Sequence, residues 1–165
     1  MEYDGIESKR VIVTAAASGI GAQVARRFAA AGARVFVCDV DAPAVAAITA
    51  ADPGIGASVA DVAAPADVEC FFDEALARLG GLDVLVDNAG VAGPVGPVED
   101  LDVDDFKRCV DVNLTGAFLC VRRAVPALKA AGGGSIVLMS SNAGTMGLPF
   151  RSPYVATKWG VIGLM

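Results

Sequence analysis

The stretch that decides the fold of this chain lies near its start: VIVTAAASGIGAQVARRF, from Val11 to Phe28. Apolar and β-branched residues come first, a run of small residues follows, and the pattern then becomes helical. This order predicts a buried strand, a tight turn and a helix. The turn begins with Ala15 rather than glycine and ends in Gly19-Ile20-Gly21.

Short apolar runs bounded by Gly, Asp or Ser recur along the chain. They predict five strands, at Val11–Thr14, Val35–Asp39, Ala57–Asp61, Val84–Asp87 and Ser135–Ser140. The segments between them have helical periodicity, and the longest predicted helix runs from about Val103 to Ala130. Alternating strands and helices with right-handed crossovers predict an α/β fold, a Rossmann-like doubly wound parallel sheet with helices on both faces. We expect one domain over residues 1–165.

Composition excludes several function classes. The net charge is -6 and there is no basic stripe, which argues against a nucleic-acid partner. The chain has no histidine, so Ser-His-Asp and Cys-His catalysis are excluded, and most zinc sites with them. Its four cysteines are widely spaced, which favours buried thiols over a metal or redox site, and we expect no metal. The acidic, polar start and the lack of a long apolar run predict a cytoplasmic protein without a membrane segment.

The turn of small residues is a candidate anion site. A strand-to-helix turn presents free backbone N–H groups and the positive end of the helix dipole at one point. The small residues from Ala15 to Gly21 leave room for a pyrophosphate to approach them. Close packing of the helix on the strand is the alternative explanation for such a turn.

Asp39 strengthens the cofactor interpretation. It ends the second predicted strand, about twenty residues after the turn, where a carboxylate can accept hydrogen bonds from a ribose diol. A carboxylate there repels the additional phosphate of NADP, and neither Ser18 nor Val40 supplies a compensating cation. We therefore predict NAD over NADP. The alternative role for Asp39 is to cap the next helix, a role that Asp41 fills more naturally.

The segment SPYVATKWG contains a candidate acid/base pair. Ser152 is predicted to cap a helix on which Tyr154 and Lys158, four residues apart, share one face. A free phenol holds its proton at neutral pH, and a neighbouring ammonium favours the phenolate. The pair could move a proton between an alcohol and its carbonyl form. A chance YxxxK on an amphipathic helix is the alternative.

Two further polar elements support this interpretation. Ser140 and Ser141 lie at the carboxyl end of the fifth predicted strand, where ligands bind in such sheets. A serine hydroxyl there can hold a substrate oxygen. Asn113 lies in the middle of a predicted helix, where asparagine is unfavourable and would be destabilising if buried unpaired. Its alternative role is a structural hydrogen bond to backbone that bends the helix.

Together these motifs resemble the classical short-chain dehydrogenase/reductase family, from about Lys9 to the last residue. The phosphate motif TGxxxGxG of that family is matched by TAAASGIG, with Ala15 in place of the first glycine. Its NNAG element appears as DNAG, residues 87–90. Its Asn-Ser-Tyr-Lys tetrad falls on Asn113, Ser141, Tyr154 and Lys158, and the usual spacing to the tyrosine selects Ser141 over Ser140.

The resemblance implies an NAD(H)-dependent oxidoreductase that interconverts a secondary alcohol and a ketone. In that family the tyrosine is the acid/base, the serine positions the carbonyl, the lysine binds the nicotinamide ribose, and the asparagine holds a water. The cofactor-binding residues that it implies here are Ala15, Ser18, Gly19, Ile20, Gly21, Asp39, Asp61, Val62, Asn88, Ala89, Gly90, Tyr154 and Lys158. It also implies a homodimer or homotetramer formed through the long fourth helix and the Tyr154–Lys158 helix.

Two departures from the family pattern carry predictions. Ala15 lacks easy access to positive φ, so we expect a strained or rearranged turn and weaker cofactor binding than glycine would give. The sequence stops at Met165, whereas the family continues with two more strands and a substrate lid. We therefore expect a fragment of a longer enzyme or a natural truncation; the alternative is a catalytically impaired dinucleotide-binding or dimerisation module.

The segment NAGTMGLPFRSP supplies one wall of the predicted substrate pocket. Met146, Leu148 and Phe150 suggest an apolar side, while Arg151 could meet an anionic group. Packing beneath the loop is the alternative role of the apolar residues.

Overall fold

A parallel five-stranded sheet forms the centre of the molecule, in a computed structural model that describes residues 5–165. The first four residues of the polar N-terminus lie outside the described part. The strands are β1 (Arg10–Val13), β2 (Arg34–Asp39), β3 (Ile55–Val59), β4 (Val84–Asp87) and β5 (Ser135–Leu138). Their order in the sheet is β3-β2-β1-β4-β5. The order reverses between β1 and β4, which is the point where such sheets bind ligands.

Helices connect the strands. They are α1 (Gly19–Ala30), α2 (Ala42–Ala51), α3 (Pro65–Leu79), α4 (Val103–Val110), α5 (Gly116–Ala130) and α6 (Ser152–Leu164). Short 3-10 turns cover Val98–Asp100 and Asn142–Gly144. No helix within residues 5–165 is long and apolar enough to cross a lipid bilayer.

Side chains from both faces of the sheet are buried. Val11, Val13 and Val35 face α1 and α2, whereas Ile12 and Phe36 face α3 and α5. Because both faces are covered, the central strands are continuous apolar runs rather than alternating ones. The predicted α/β Rossmann-like architecture is confirmed.

Several predicted boundaries were wrong by one or two residues. β1 covers Arg10–Val13, so Thr14 already belongs to the turn. β3 covers Ile55–Val59 instead of Ala57–Asp61, because its pairing with β2 starts at Val35 and Ile55. Asp61 instead lies in the following turn, where its Oδ1 accepts a hydrogen bond from the Ala63 N–H. β5 ends at Leu138 rather than Ser140, because the Ser140 N–H turns back to the Leu138 carbonyl.

Two helix predictions also need correction. The long predicted helix from Val103 to Ala130 is interrupted by a π-helical turn at Asp111–Thr115, which separates α4 from α5. Ser152 does not cap α6: it is the first helical residue, and Arg151 occupies the capping position. The prediction that Asp41 caps α2 is confirmed, since its carboxylate accepts a hydrogen bond from the Ala44 N–H.

Candidate functional site

Two residues of the turn between β1 and α1 have a left-handed backbone conformation. Ala15 adopts φ +47° and Gly19 adopts φ +55°, both in the left-handed region. Alanine is destabilised there by about 1–2 kcal/mol, so the predicted strain at Ala15 is present in the structure. A Cβ on Gly21 would lie 2.7 Å from the Asn88 Nδ2 atom and closer still to the Ala15 carbonyl oxygen. Gly21 is therefore required by packing.

A buried hydrogen-bond network fixes this turn to the end of β4. The Thr14 hydroxyl donates to Asp87 Oδ1 (2.9 Å) and accepts from the N–H groups of Asn88 and Ala89. The Asn88 side chain in turn donates to the carbonyl oxygens of Thr14 and Ala15. Since every hydrogen-bonding site of the Thr14 hydroxyl is used, the two segments are held in one arrangement.

Asp87 is the charged member of this network. It is 4% exposed, and burial raises the pKa of its carboxyl group to about 6. The hydrogen bond from Thr14, the charge of Lys158 and the thiol of Cys120 oppose that rise. Burial also raises the pKa of the Cys120 thiol, which is hydrogen-bonded to this carboxyl group, and raises the pKa of the Cys38 thiol to about 12, so both thiols stay neutral at pH 7.

A groove of about 420 Å³ lies over the carboxyl ends of β1, β2 and β3. Ten of the predicted cofactor residues line it: Ala15, Ser18, Gly19, Ile20, Asp39, Asp61, Val62, Asn88, Ala89 and Gly90. The structure therefore brings together residues that are up to 75 positions apart in the chain. Gly21 packs behind the turn instead of lining the groove.

Asp39 and Arg108 are oppositely charged residues in the lining of this groove. The Asp39 carboxylate accepts hydrogen bonds from the N–H groups of Ala17 (3.1 Å) and Asp41 (3.2 Å). The Arg108 guanidinium, which the sequence reasoning missed, lines the groove and forms a 2.9 Å ion pair with Asp61. Arg108 lies on α4, 47 residues from Asp61 in the turn after β3, so no local sequence pattern could have predicted the pair.

A second pocket, of about 310 Å³, continues the groove and shares Ile20, Asn88, Gly90 and Val91 with it. Its remaining lining residues are Ala92, Met139, Ser140, Arg151, Tyr154 and Lys158. The Lys158 ammonium lies 5.8 Å from the centre of the Tyr154 ring and donates a 2.7 Å hydrogen bond to the Met139 carbonyl. Lys158 is only 5% exposed, so its charge is held in place.

Asn113 lies behind this pocket, in the π-helical turn. Its Oδ1 atom accepts from the Val91 N–H (2.7 Å), and its Nδ2 atom donates to the Val91 carbonyl (2.9 Å) and to the Thr157 hydroxyl (3.1 Å). The side chain is 1% exposed and fully paired. It therefore ties the segment after Gly90 to the residue that precedes Lys158.

The two neighbouring serines differ in their surroundings. The Ser140 hydroxyl donates to the Lys158 carbonyl at 2.9 Å, and Ser140 lines the pocket. Ser141 begins the 3-10 turn: its hydroxyl accepts from the Ala143 N–H and donates to Asn142 Oδ1. Within the described chain, only Ser140 of the two contributes to the pocket lining, and the role of Ser141 stays a prediction.

A family model described as short chain dehydrogenase matches residues 9–165. The chain belongs to this family. Among its relatives are a 2-dehydro-3-deoxy-L-rhamnonate dehydrogenase (NAD(+)) of Sphingomonas sp., 41% identical over 152 residues, and a cis-4-hydroxycyclohexanecarboxylate dehydrogenase of Sinomonas cyclohexanicum, 42% identical over 156 residues. These alignments cover 92% and 93% of this chain, and 61% and 63% of the relatives.

Solved structures of short-chain dehydrogenases share the fold. An actinorhodin polyketide ketoreductase crystallised with NADPH superimposes with a TM-score of 0.90 at 32% identity, over 99% of this chain and 64% of the ketoreductase. This chain thus spans somewhat less than two thirds of the length of these relatives.

Proposed function

We propose that this chain carries the cofactor site and the acid/base residues of an NAD(H)-dependent oxidoreductase that interconverts a secondary alcohol and a ketone. The observation that carries the proposal is the continuous groove from Asp39 to Tyr154 and Lys158. The names of its relatives support the reaction class, since both are dehydrogenases and one name specifies NAD(+). We also propose that residues 1–165 form a single nucleotide-binding domain.

The shape of the groove fits a dinucleotide. A Cβ on Gly19 would meet no other atom of the described residues within 4 Å, apart from its chain neighbours, so the turn is open toward an anion. The first N–H groups of α1, near Ile20, would hold the pyrophosphate, and Asp61 and Val62 would flank the adenine. A Cβ placed on Gly90 would lie 3.3 Å from the Lys158 Nζ atom, so glycine at this position leaves room for the Lys158 ammonium.

Asp39 supports NAD over NADP. Backbone N–H groups on both sides orient its carboxylate at the edge of the groove, where it can accept hydrogen bonds from a ribose diol. Arg108 also lines the groove and could bind the additional phosphate of NADP, but its guanidinium is already paired with the Asp61 carboxylate. The polyketide ketoreductase was crystallised with NADPH, so the family accommodates both cofactors and the local charge decides.

The residues at the other end of the groove would handle the proton. Tyr154 would give its phenolic proton to, or take it from, the substrate oxygen, and the Lys158 ammonium lies 5.8 Å from the centre of its ring. Ser141 would hold the substrate oxygen by a hydrogen bond, and Asn113 would position Lys158 through Thr157. The bound nicotinamide would supply the hydride acceptor or donor.

Tyr154→Phe tests this assignment. We expect turnover with a secondary alcohol to fall by about 10²–10⁴-fold, because a positioned acid/base is lost. The affinity for NAD should change little, since the aromatic ring remains and only the hydroxyl is lost. Trp159→Phe, an aromatic exchange at a 52% exposed position of the same helix, is the control and should keep its turnover. Full turnover in Tyr154→Phe would contradict the mechanism.

We also propose that copies of the chain associate through α4, α5 and α6. The large aromatic side chains of Phe106, Phe118 and Trp159 on these helices are 41%, 49% and 52% exposed, so they are available to a second copy of the chain. Sedimentation velocity should show a dimer or tetramer, and Phe118→Glu should shift it to monomer. A monomer in the unaltered protein would contradict this proposal.

A further inference from the structure

We infer that the substrate carries a carboxylate close to the reacting carbinol, and that Arg151 binds it. This inference rests on the proposed function, because it concerns the same pocket. It would make the protein a dehydrogenase of small hydroxy acids rather than of neutral alcohols. Arg151 would then be a specificity-determining residue.

The first support is the position of the guanidinium. Its Cζ atom lies 5.4 Å from the centre of the Tyr154 ring, and Arg151 lines the same pocket as Tyr154 and Lys158. The backbone of Arg151 is fixed at the start of α6, because its N–H donates to the Leu148 carbonyl and its carbonyl accepts from the Val155 N–H. The guanidinium therefore lies beside the ring of the residue that would exchange the proton with the substrate oxygen.

The second support is the charge of the pocket. Its described lining contains two cations, Arg151 and Lys158, and no carboxylate. This contrasts with the rest of the chain, whose net charge of -6 would repel an anion at long range. A local pair of cations reverses that repulsion where substrate enters.

The third support is that Arg151 is unpaired. Within residues 5–165 no Asp or Glu oxygen lies within 4.0 Å of its guanidinium. Four other arginines also lack such a partner within these residues, but Arg151 alone among the arginines lines the pocket that contains Tyr154 and Lys158. A guanidinium presents a planar fork that matches a carboxylate with two parallel hydrogen bonds. The side chain has the geometry for that bond, and within the described residues only an incoming ligand would supply the acceptor.

The test compares a panel of hydroxy acids, including 3-hydroxybutyrate and 4-hydroxypentanoate, with their methyl esters, which lack the negative charge and carry one additional methyl group. Calorimetry measures binding with and without NADH, and NADH formation measures turnover separately. We expect the unaltered protein to bind at least one acid more tightly than its ester. Arg151→Met should weaken that acid about 10- to 100-fold, the loss of a charge-assisted hydrogen-bond pair, and leave the ester unchanged. Arg151→Lys should be intermediate, and Arg122→Met, at an exposed arginine of α5, should match the unaltered protein.

The outcomes separate the two proposals. Equal losses for acid and ester in Arg151→Met would mean that the guanidinium acts only through the Tyr154 ring, and would overturn the inference. Failure of every acid to bind, or tighter binding of the esters, would also overturn it. Acid binding that depends on Arg151 without any NADH formation would uphold the anion site and contradict the proposed oxidoreductase.

Discussion

The two ends of the groove differ in burial: at the end proposed to bind the cofactor, called here the cofactor end, β1 and β2 are buried along nearly their whole length. At the end proposed to hold the acid/base residues, called here the catalytic end, β5 exposes two of its four residues. The cofactor end is built from backbone: turn N–H groups, glycines and a buried threonine network. The catalytic end is built from long side chains that meet across distant segments. The comparison teaches that one site can combine a rigid, locally encoded half with a half that depends on tertiary contacts.

The largest expected change in unfolding free energy comes from placing a side chain behind the turn between β1 and α1. In Gly21→Ala the new Cβ meets Asn88 and the backbone of Ala15 and Ala16, so we expect a loss of about 3 kcal/mol in unfolding free energy and loss of NAD binding. Denaturant unfolding measures it. Gly163→Ala in α6, where a Cβ would meet no described atom within 4 Å beyond its own helix and chain neighbours, is the control and should be neutral or slightly stabilising. Equal unfolding free energies for the two variants would contradict the claim that the turn is closely packed while α6 tolerates an added methyl group at Gly163.

The two serines test the catalytic half. Ser141→Ala should lower turnover about 100-fold, equivalent to about 2.7 kcal/mol, if Ser141 holds the substrate oxygen. Ser140→Ala should instead lower stability by about 1 kcal/mol, because its hydrogen bond to the Lys158 carbonyl is lost. Steady-state kinetics and unfolding together distinguish them. The reverse pattern would assign the catalytic hydroxyl to Ser140, which lines the pocket.

Asp87, which stands where the family motif has asparagine, gives a pH-dependent prediction. Its folded pKa of about 6 lies above the unfolded value of about 4, so its stabilising contribution is complete below pH 4 and is lost as pH rises through 6. Asp87→Asn should therefore stabilise the chain at pH 7 by about 2.7 kcal/mol and have almost no effect at pH 4. Unfolding at both pH values measures this difference.

Asp83, at the other end of β4, is the matched control. Three hydrogen bonds from Arg10, one of them from its backbone N–H, lower the pKa of the Asp83 carboxyl group to about 2. Its stabilising contribution is present above pH 4 and is lost as pH falls toward 2. Asp83→Asn should thus destabilise at pH 7, opposite in sign to Asp87→Asn. The same sign for both would refute the burial argument.

The smallest expected effect is at Ala15. Ala15→Gly relieves the strain at φ +47° and should raise the unfolding free energy by about 1 kcal/mol and tighten NAD binding several-fold. Ala16→Gly, at a buried alanine outside the left-handed region, is the control and should destabilise. Unchanged NAD affinity in Ala15→Gly would count against the idea that the turn limits binding.

What the sequence could predict follows the same division. The turn, Asp39 and the alternation of strands and helices are encoded locally, so Ala15, Gly19 and Gly21 could be placed from the pattern alone. The hydrogen bonds between Asn113 and Val91 and between Lys158 and Met139 join residues that are 22 and 19 positions apart. Hydrophobic periodicity describes single helices and strands, so it could not predict these contacts. The π-helical turn could not be predicted from the sequence either, because its apolar pattern is that of an ordinary α-helix.

The most direct test of the central claim is a calorimetric titration of this chain with NAD and, separately, with NADP. If the groove between Asp39 and Tyr154 is a cofactor site, NAD should bind saturably and NADP at least about tenfold more weakly, and Asp39→Ala should remove most of that difference. Equal binding of the two cofactors would contradict the role of Asp39. Binding of neither would contradict the claim itself and favour a chain whose helices serve only association.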